Sequence, residues 1–467
     1  MNRIAKTKII ATIGPSTWDN QVLRKMFESG MLLARINSSF ADFAELDRVS
    51  KQIRNISPRI ATILDTQGTK IRVTGLQKDT EIKETVTLTS ANTPNPNIIK
   101  ITYPTLHKDV TVGTKILLDD GNIQLVVREI KGESVVCDVI QEGILKPNKT
   151  VNIPDINLHF PILTDKDRQD IEYAKELDFD FVCASFARNR EDIITVKKIL
   201  EGSNTKVIAK IENRQGVENF DEILDESDAI MIARGDMGVE LDLEEVPILQ
   251  KQMIFKCRQV GKPMIVATQM LESMKANRRP TRAEVSDVAN AVMDGADCVM
   301  LSAETSTGKY PVEAVEMMNR IALRTEGIMK LSPVHGETEA GKEVDEFGLT
   351  ACKFSQEIPY NAILIVSDTK SVVGSVSRHR PTVPIFVVSS SIENIRQNAI
   401  YRGVKTHYIK ELSDDRDTNI FLAVEKIYGS GELDLLDKIA IISGSSIKNK
   451  ETDSILEIVT VKDILNS

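Results

Sequence analysis

The sequence predicts an α/β protein built on a closed (β/α)8 TIM barrel, with a small all-β domain inserted into it and a separate α/β domain at the C-terminal end. Three observations lead there. Short runs rich in Ile and Val alternate with helical periods eight times. The alternation is broken once, by a stretch of alternating Val, Thr and Ile around turn signals such as Asp120-Gly121. After an aperiodic segment at 327–345, apolar runs start again. Strands buried on both faces read as near-continuous apolar runs, and eight strand-helix units in succession close into a barrel.

Taken in order, the barrel strands are expected at 7–13, 31–36, 60–65, 179–184, 206–211, 228–233, 263–268 and 296–301. The helices fall at 19–29, 41–54, 164–177, 190–201, 213–224, 244–260, 282–294 and 310–326. Asp19 can cap the first helix, with Trp18 and Leu23 placed as a hydrophobic staple and Gly30 positioned to end it. Trp18 is thereby read as structural. Thr281 and Glu284 form the T-x-x-E capping box of the helix at 282–294. These segments divide the chain into a barrel, 1–66 and 160–330, an inserted β-rich lid domain, 67–159, and a last domain, 346–467, with strands at 361–366, 383–388 and 438–442.

Composition narrows the function classes. The 467 residues are 41% apolar and 27% charged, which excludes disordered and fibrous chains, and the length corresponds to roughly three domains. A net charge of −9 argues against nucleic acid or an anionic membrane as partner, so an anionic substrate must meet a locally basic pocket. No run approaches a membrane span and Met1–Lys6 has no apolar signal core, so a cytoplasmic protein is expected. The five scattered cysteines, Cys137, Cys183, Cys257, Cys298 and Cys352, read as buried thiols rather than disulfides or zinc ligands.

Chemistry on a β/α barrel sits at the C-terminal ends of its strands. Those ends carry Arg35 and Asn37, Asp65 and Thr66, Ser185, Lys210 and Glu212, Arg234-Gly235-Asp236, Thr268 and Gln269, and Ser302 and Glu304. Lys210 and Glu212 stand two apart on one strand, so both side chains leave the same face. In a strand as apolar as VIAKIEN they form either an internal ion pair or part of a site. Asp236, flanked by glycines, reads as a turn residue or, with Glu212 on the neighbouring strand, as one of two carboxylates for a hard cation such as Mg2+ or Mn2+.

The stretches KTKIIATIGPS (6–16), IAKIEN (208–213), IARGDMGVE (232–240), ATQMLESM (267–274) and RPTRAEVSDVANAVMDGADCVMLSAET (279–305) resemble the pyruvate kinase family. LDDGNIQL (118–125) and KTVNIP (149–154) extend the likeness loosely into the inserted domain. The resemblance implies phosphoryl transfer from phosphoenolpyruvate to ADP and, by family alone, a homotetramer. It implies that Glu212 and Asp236 hold the divalent metal, and that Arg35 and the Gly235 and Asp236 backbone cradle the substrate. Lys210 would stabilise charge on the migrating phosphoryl, and Thr268 would stand near the carbon that is protonated. Ser302 and Glu304 would either relay that proton through water or only brace the mouth. Asn37, Arg72 and Lys149 would contact nucleotide beneath a closing lid.

Three departures from the family pattern matter. After Asn37 the sequence reads Ser38-Ser39-Phe40-Ala41, with Phe40 in place of a nucleotide-contacting histidine. Lys70 stands where the family usually has glutamate, beside Asn37, Ser39, Asp65 and Thr66, the positions that bind potassium in most members. Its tethered ammonium could supply the same charge, so turnover is expected not to require potassium. Thr369-Lys370-Ser371 resembles the start of an effector-phosphate loop, but Val372 and Val373 replace an expected glycine. His107, His159 and His379 have no partner visible in sequence and receive no role. A weakened, regulatory relative and a magnesium-dependent enolpyruvate lyase or aldolase are the competing readings.

Overall fold

The computed structural model describes residues 4–91, 98–329, 331–336, 338, 342–366, 371–444 and 454–466. Eight parallel strands close into a barrel in chain order: Lys8–Thr12, Met31–Asn37, Ala61–Asp65, Phe181–Ala184, Lys206–Ile211, Ala229–Ala233, Met264–Ala267 and Cys298–Leu301. These are the eight runs read from the sequence, and their residues are buried almost without exception. The first and last strands pair from Lys8 with Cys298 to Ala11 with Leu301, which closes the ring. The core has two shells: Ile10, Leu33, Ile63, Ile208, Met231 and Ile265 group in one cluster, while the alternate residues pack with the outer helices.

Local signals end the helices where expected. Asp19 accepts the amides of Gln21 and Val22, and the backbone turns at Gly30 with φ +117°. Leu23 is buried as the staple requires, but Trp18 stays half-exposed under the Arg48 guanidinium. The Thr281–Glu284 capping box forms with both reciprocal bonds. Two helical expectations change. The segment at 213–224 divides at Asn219 into Arg214–Glu218 and Phe220–Glu226, and the Asn219 side chain donates to the Arg188 carbonyl at 2.8 Å. An additional helix, Arg234–Glu240, begins at the sixth strand end, where Gly235 and Gly238 weaken the sequence signal.

The inserted stretch forms a second closed barrel of seven short strands, Ile71–Thr74, Thr85–Thr89, Ile98–Ile101, Lys115–Leu118, Ile123–Lys131, Ser134–Gln141 and Thr150–Asn152, around its own core. It is tied to the large barrel by Asn152 to Glu240 (2.7 Å) and Arg214 to Asp155 (3.2 Å). Among the described residues the C-terminal sheet has five strands. Ala362–Val366, Ile385–Ser389 and Lys438–Gly444 follow the expected runs, and the edge strands Val404–Tyr408 and Ser454–Thr460 add to them. Arg380 and Arg396 of this part reach into the bottom of the large barrel, to Asp297 and Asp180. All five cysteines are buried free thiols. Among the described residues no helix is long and apolar enough to cross a membrane.

Candidate active site

The C-terminal strand ends bring the sequence-selected residues into one crater. Lys210, on the fifth strand, is buried, and its ammonium lies 3.1 Å from Asp65 Oδ1 and 3.1 Å from Glu212 Oε1. Ser185 Oγ accepts a third contact from it at 3.0 Å. Arg35 lies on the other side of Asp65, with its Nε 2.6 Å from Oδ2, and donates to Thr12 at 2.8 Å. Asp65 thus stands between two cations. Burial pushes its carboxyl up, but Arg35 and Lys210 outweigh that and hold it at about 2. Burial likewise opposes the Lys210 charge, yet Asp65 and Glu212 lift its ammonium well above the ordinary lysine range.

Glu212 is treated differently. Oε2 accepts the Phe186 amide at 2.7 Å, while Oε1 lies at ion-pair distance from Lys210 without an aligned hydrogen bond. Burial pushes this carboxyl above its usual value; Lys210 opposes, and Asp236 adds to the push. Lys210 shares its charge with Asp65, so Glu212 retains a buried oxygen whose bonding capacity is unmet. Asp236, in Arg234–Glu240, stays partly open to solvent and is paired at 2.5 Å with Lys70. An unsatisfied buried oxygen and a second, accessible carboxylate form a hard donor set that fits a divalent cation keeping several waters.

The remaining mouth residues are held by backbone. Thr268 sits in the left-handed region, φ +68°, and Gln269 follows at +54°. Thr268 Oγ1 donates to the Ala267 carbonyl at 2.6 Å and accepts the Gly235 amide at 2.7 Å. The Gly235 amide expected in the substrate cradle is thus bonded to Thr268, and a Cβ at Gly235 would meet Thr268 Oγ1 at 3.3 Å. Arg234 fixes the strained turn, forking onto Asp287 at 2.7 Å on both nitrogens and donating to the Thr268 carbonyl at 2.8 Å. Both Glu304 oxygens are taken by amides, those of Leu271 (3.1 Å) and Ser302 (2.7 Å), which favours bracing over a relay.

Lys70, expected beside Asn37, Ser39, Asp65 and Thr66, pairs with Asp236 at 2.5 Å. Of those, Asn37 Oδ1 accepts the Ser39 amide (3.0 Å), and Thr66 Oγ1 donates to the Cys183 carbonyl (2.8 Å). Phe40 projects from the same loop, 87% exposed. Arg72, on the lid strand Ile71–Thr74, bonds to the Asn148 carbonyl (3.1 Å), and Lys149, just before the adjacent strand Thr150–Asn152, pairs with Asp119 (2.5 Å), so both are engaged on the lid rather than in the crater. Of the effector-loop residues, Thr369 and Lys370 lie outside the described residues.

Comparison with known proteins gives the crater its context. The family description "Pyruvate kinase, barrel domain" matches residues 4–315. The chain belongs to the pyruvate kinase family. The family's "alpha/beta domain" matches 345–459. A pyruvate kinase of Geobacillus stearothermophilus is 39% identical over 98% of this chain and 81% of its own length, and one of Clostridium acetobutylicum is 35% identical over 98% and 100%. A crystal structure of a pyruvate kinase from Cryptosporidium parvum superposes with a TM-score of 0.90 at 33% identity, covering 98% of this chain and 96% of that one. The protein is a phosphotransferase, the weakened-relative and lyase readings are not favoured, and its family implies a divalent cation such as Mg2+.

Sequence reading placed Ser185 at a strand end without giving it a role and passed over Phe186, and both contact the charged groups of this crater. Ser185 Oγ also donates to the Thr66 carbonyl at 2.8 Å, joining two strand ends, and Phe186 acts through an amide that its side chain does not advertise. The available signal for Ser185 was its place at a strand end.

Proposed function

We propose that this crater transfers the phosphoryl group of phosphoenolpyruvate to ADP, giving ATP and an enolate that is protonated to pyruvate, the closing step of glycolysis. The observation that carries the reading is Lys210: a buried ammonium held between Asp65 and Glu212. Charge spreads over three equatorial oxygens as the phosphoryl leaves, and a fixed ammonium aimed at them lowers that barrier. Arg35, locked by Asp65 and Thr12, presents its guanidinium to the substrate phosphate. Glu212 and Asp236 would hold Mg2+ or Mn2+, which when bound supplies positive charge against phosphate and carboxylate oxygens. Thr268, pinned by Arg234 through its carbonyl, places a hydroxyl beside the carbon to be protonated; an ordinary hydroxyl can pass but not originate that proton.

Asn37, Arg72 and Lys149 serve the nucleotide, and the lid's closure brings the last two over the crater and excludes water. Lys70 supplies the charge that most relatives obtain from potassium. The enzyme acts in the cytoplasm as a homotetramer. Ile248 and Phe255, seven apart on the helix Val246–Val260, are 58% and 51% exposed, an apolar stripe that a second copy would cover.

A coupled assay of ADP-dependent pyruvate release tests the reaction. Lys210→Met is expected to lower kcat by about 10²–10³ or more; full activity in that variant removes the role given to Lys210. Initial rates in a buffer free of sodium and potassium are expected to equal those with potassium. A fall to a small fraction, restored by potassium, rejects the role given to Lys70.

A further inference from the structure

Phe186, just after the fourth barrel strand, combines features that a core phenylalanine does not need. Its backbone has φ +55°, a region bulky residues rarely occupy unless the surroundings over-determine it. That conformation aims its amide at Glu212 Oε2, 2.7 Å away, while its ring lies under Lys70, whose ammonium is 4.9 Å from the centroid. From there Lys70 reaches Asp236 Oδ1 at 2.5 Å. Gly68 makes room for the ring, since a Cβ there would stand 2.7 Å from Phe186 Cδ2. Buried Asp167 fixes that loop by accepting the amides of Gln67 (2.9 Å) and Gly68 (3.2 Å).

We propose that Phe186 is a positioning residue of the metal site: its amide sets Glu212, and its ring holds the Lys70 ammonium on Asp236 as a built-in counter-cation that a divalent ion must displace. The inference rests on Glu212 and Asp236 being the divalent-cation ligands. An ammonium 2.5 Å from Oδ1 occupies that oxygen and repels an incoming dication, so metal entry and lysine withdrawal are one exchange. The negative face of the ring stabilises the paired position of Lys70. Removing the ring loosens that hold without altering any charge, which separates the proposal from plain repulsion by a nearby lysine.

Mn2+ binding to the substrate-free, full-length protein, read as free Mn2+ by electron paramagnetic resonance, tests it. Phe186→Leu is expected to bind Mn2+ about three- to tenfold more tightly. Phe186→Tyr, which keeps the ring, is expected to match the wild type, and Lys70→Met to gain affinity at least as much as Phe186→Leu. In the Lys70→Met background, Phe186→Leu is expected to change nothing further. Unchanged or looser binding in Phe186→Leu, or the same gain with and without Lys70, overturns the proposal. Should the leucine variant fail to fold, wild-type protein carrying ¹³C-methylated lysines gives a second reading. The Lys70 signal, identified by its loss in Lys70→Met, is expected upfield from the ring current and to move downfield as Mg2+ is added. Absence of either shift overturns the proposal. If Glu212→Gln and Asp236→Asn bind Mn2+ as the wild type does, the metal assignment falls and the proposal with it. Metal binding that needs both carboxylates but ignores Phe186 overturns the proposal alone.

Discussion

At the bottom of the barrel Asp180 and Asp297 lie as deep as Asp65 and Glu212 do at the mouth. Asp297 receives both arms of Arg380 at 2.8 Å and the amides of Arg402 and Met264 at 3.1 Å, so each oxygen has two donors. Asp180 takes the Thr62 amide (2.7 Å), Arg54 (3.0 Å) and Arg396 (2.6 Å). At the mouth Asp65 is equally well met, but Glu212 keeps one unaligned oxygen and Asp236 is partly open to solvent, paired with Lys70. The same group, a buried carboxylate, is a rivet at one end and a reactive site at the other. What differs is unmet bonding capacity, which a cation or substrate can claim.

The largest effect is expected at the bottom of the barrel. Asp297→Asn removes the charge that balances Arg380 while keeping shape, and is expected to cost ~3–5 kcal/mol in urea unfolding, with kcat of the folded fraction little changed. A stable Asp297→Asn protein, or one that is stable but inactive, would mean that the bottom is not a rivet.

At the mouth the informative variant is Glu212→Gln. Gln keeps an acceptor for the Phe186 amide and removes a charge that burial and Asp236 disfavour. Activity is expected to fall by more than the about 10–100-fold typical of losing an outer-shell partner, while thermal stability without metal holds or rises. A fall in melting temperature would place Glu212 among the rivets.

Reading these two ends from sequence succeeded unevenly, for physical reasons. Lys210 and Glu212 were legible because period two puts both on one face of an apolar strand, where charge demands an explanation. Asp180 and Asp297 stand at strand starts just as visibly, but their partners Arg396 and Arg380 are 216 and 83 residues away, beyond any local pattern. Phe186 drew no reading because an amide donor and a positive φ leave no mark on residue type. Central strands were found where apolar runs were continuous. The edge strand Val404–Tyr408, which alternates with polar Lys405 and Thr406, was not.

Acid unfolding gives the smallest effect and the finest contrast, because the two mouth carboxylates act with opposite sign. Asp65 is held at about 2, below its ordinary 3.8, by Arg35 and Lys210 against the upward push of burial. Its contribution, on the order of 2 kcal/mol, is therefore present above pH ~4 and lost as pH falls toward 2. Glu212 is shifted upward, so the folded protein takes up that proton more readily than the unfolded chain, and protonation there favours the fold. On acidification from neutral, the crater should first gain slightly through Glu212 and then lose through Asp65. Denaturant unfolding from pH 6 to 3 is expected to show the late loss in the wild type and in Glu212→Gln, and the early gain in the wild type only. A Glu212→Gln protein whose stability follows the wild type at every pH would show that the Glu212 charge is as well met as those of Asp180 and Asp297, and the distinction between the two ends would go with it.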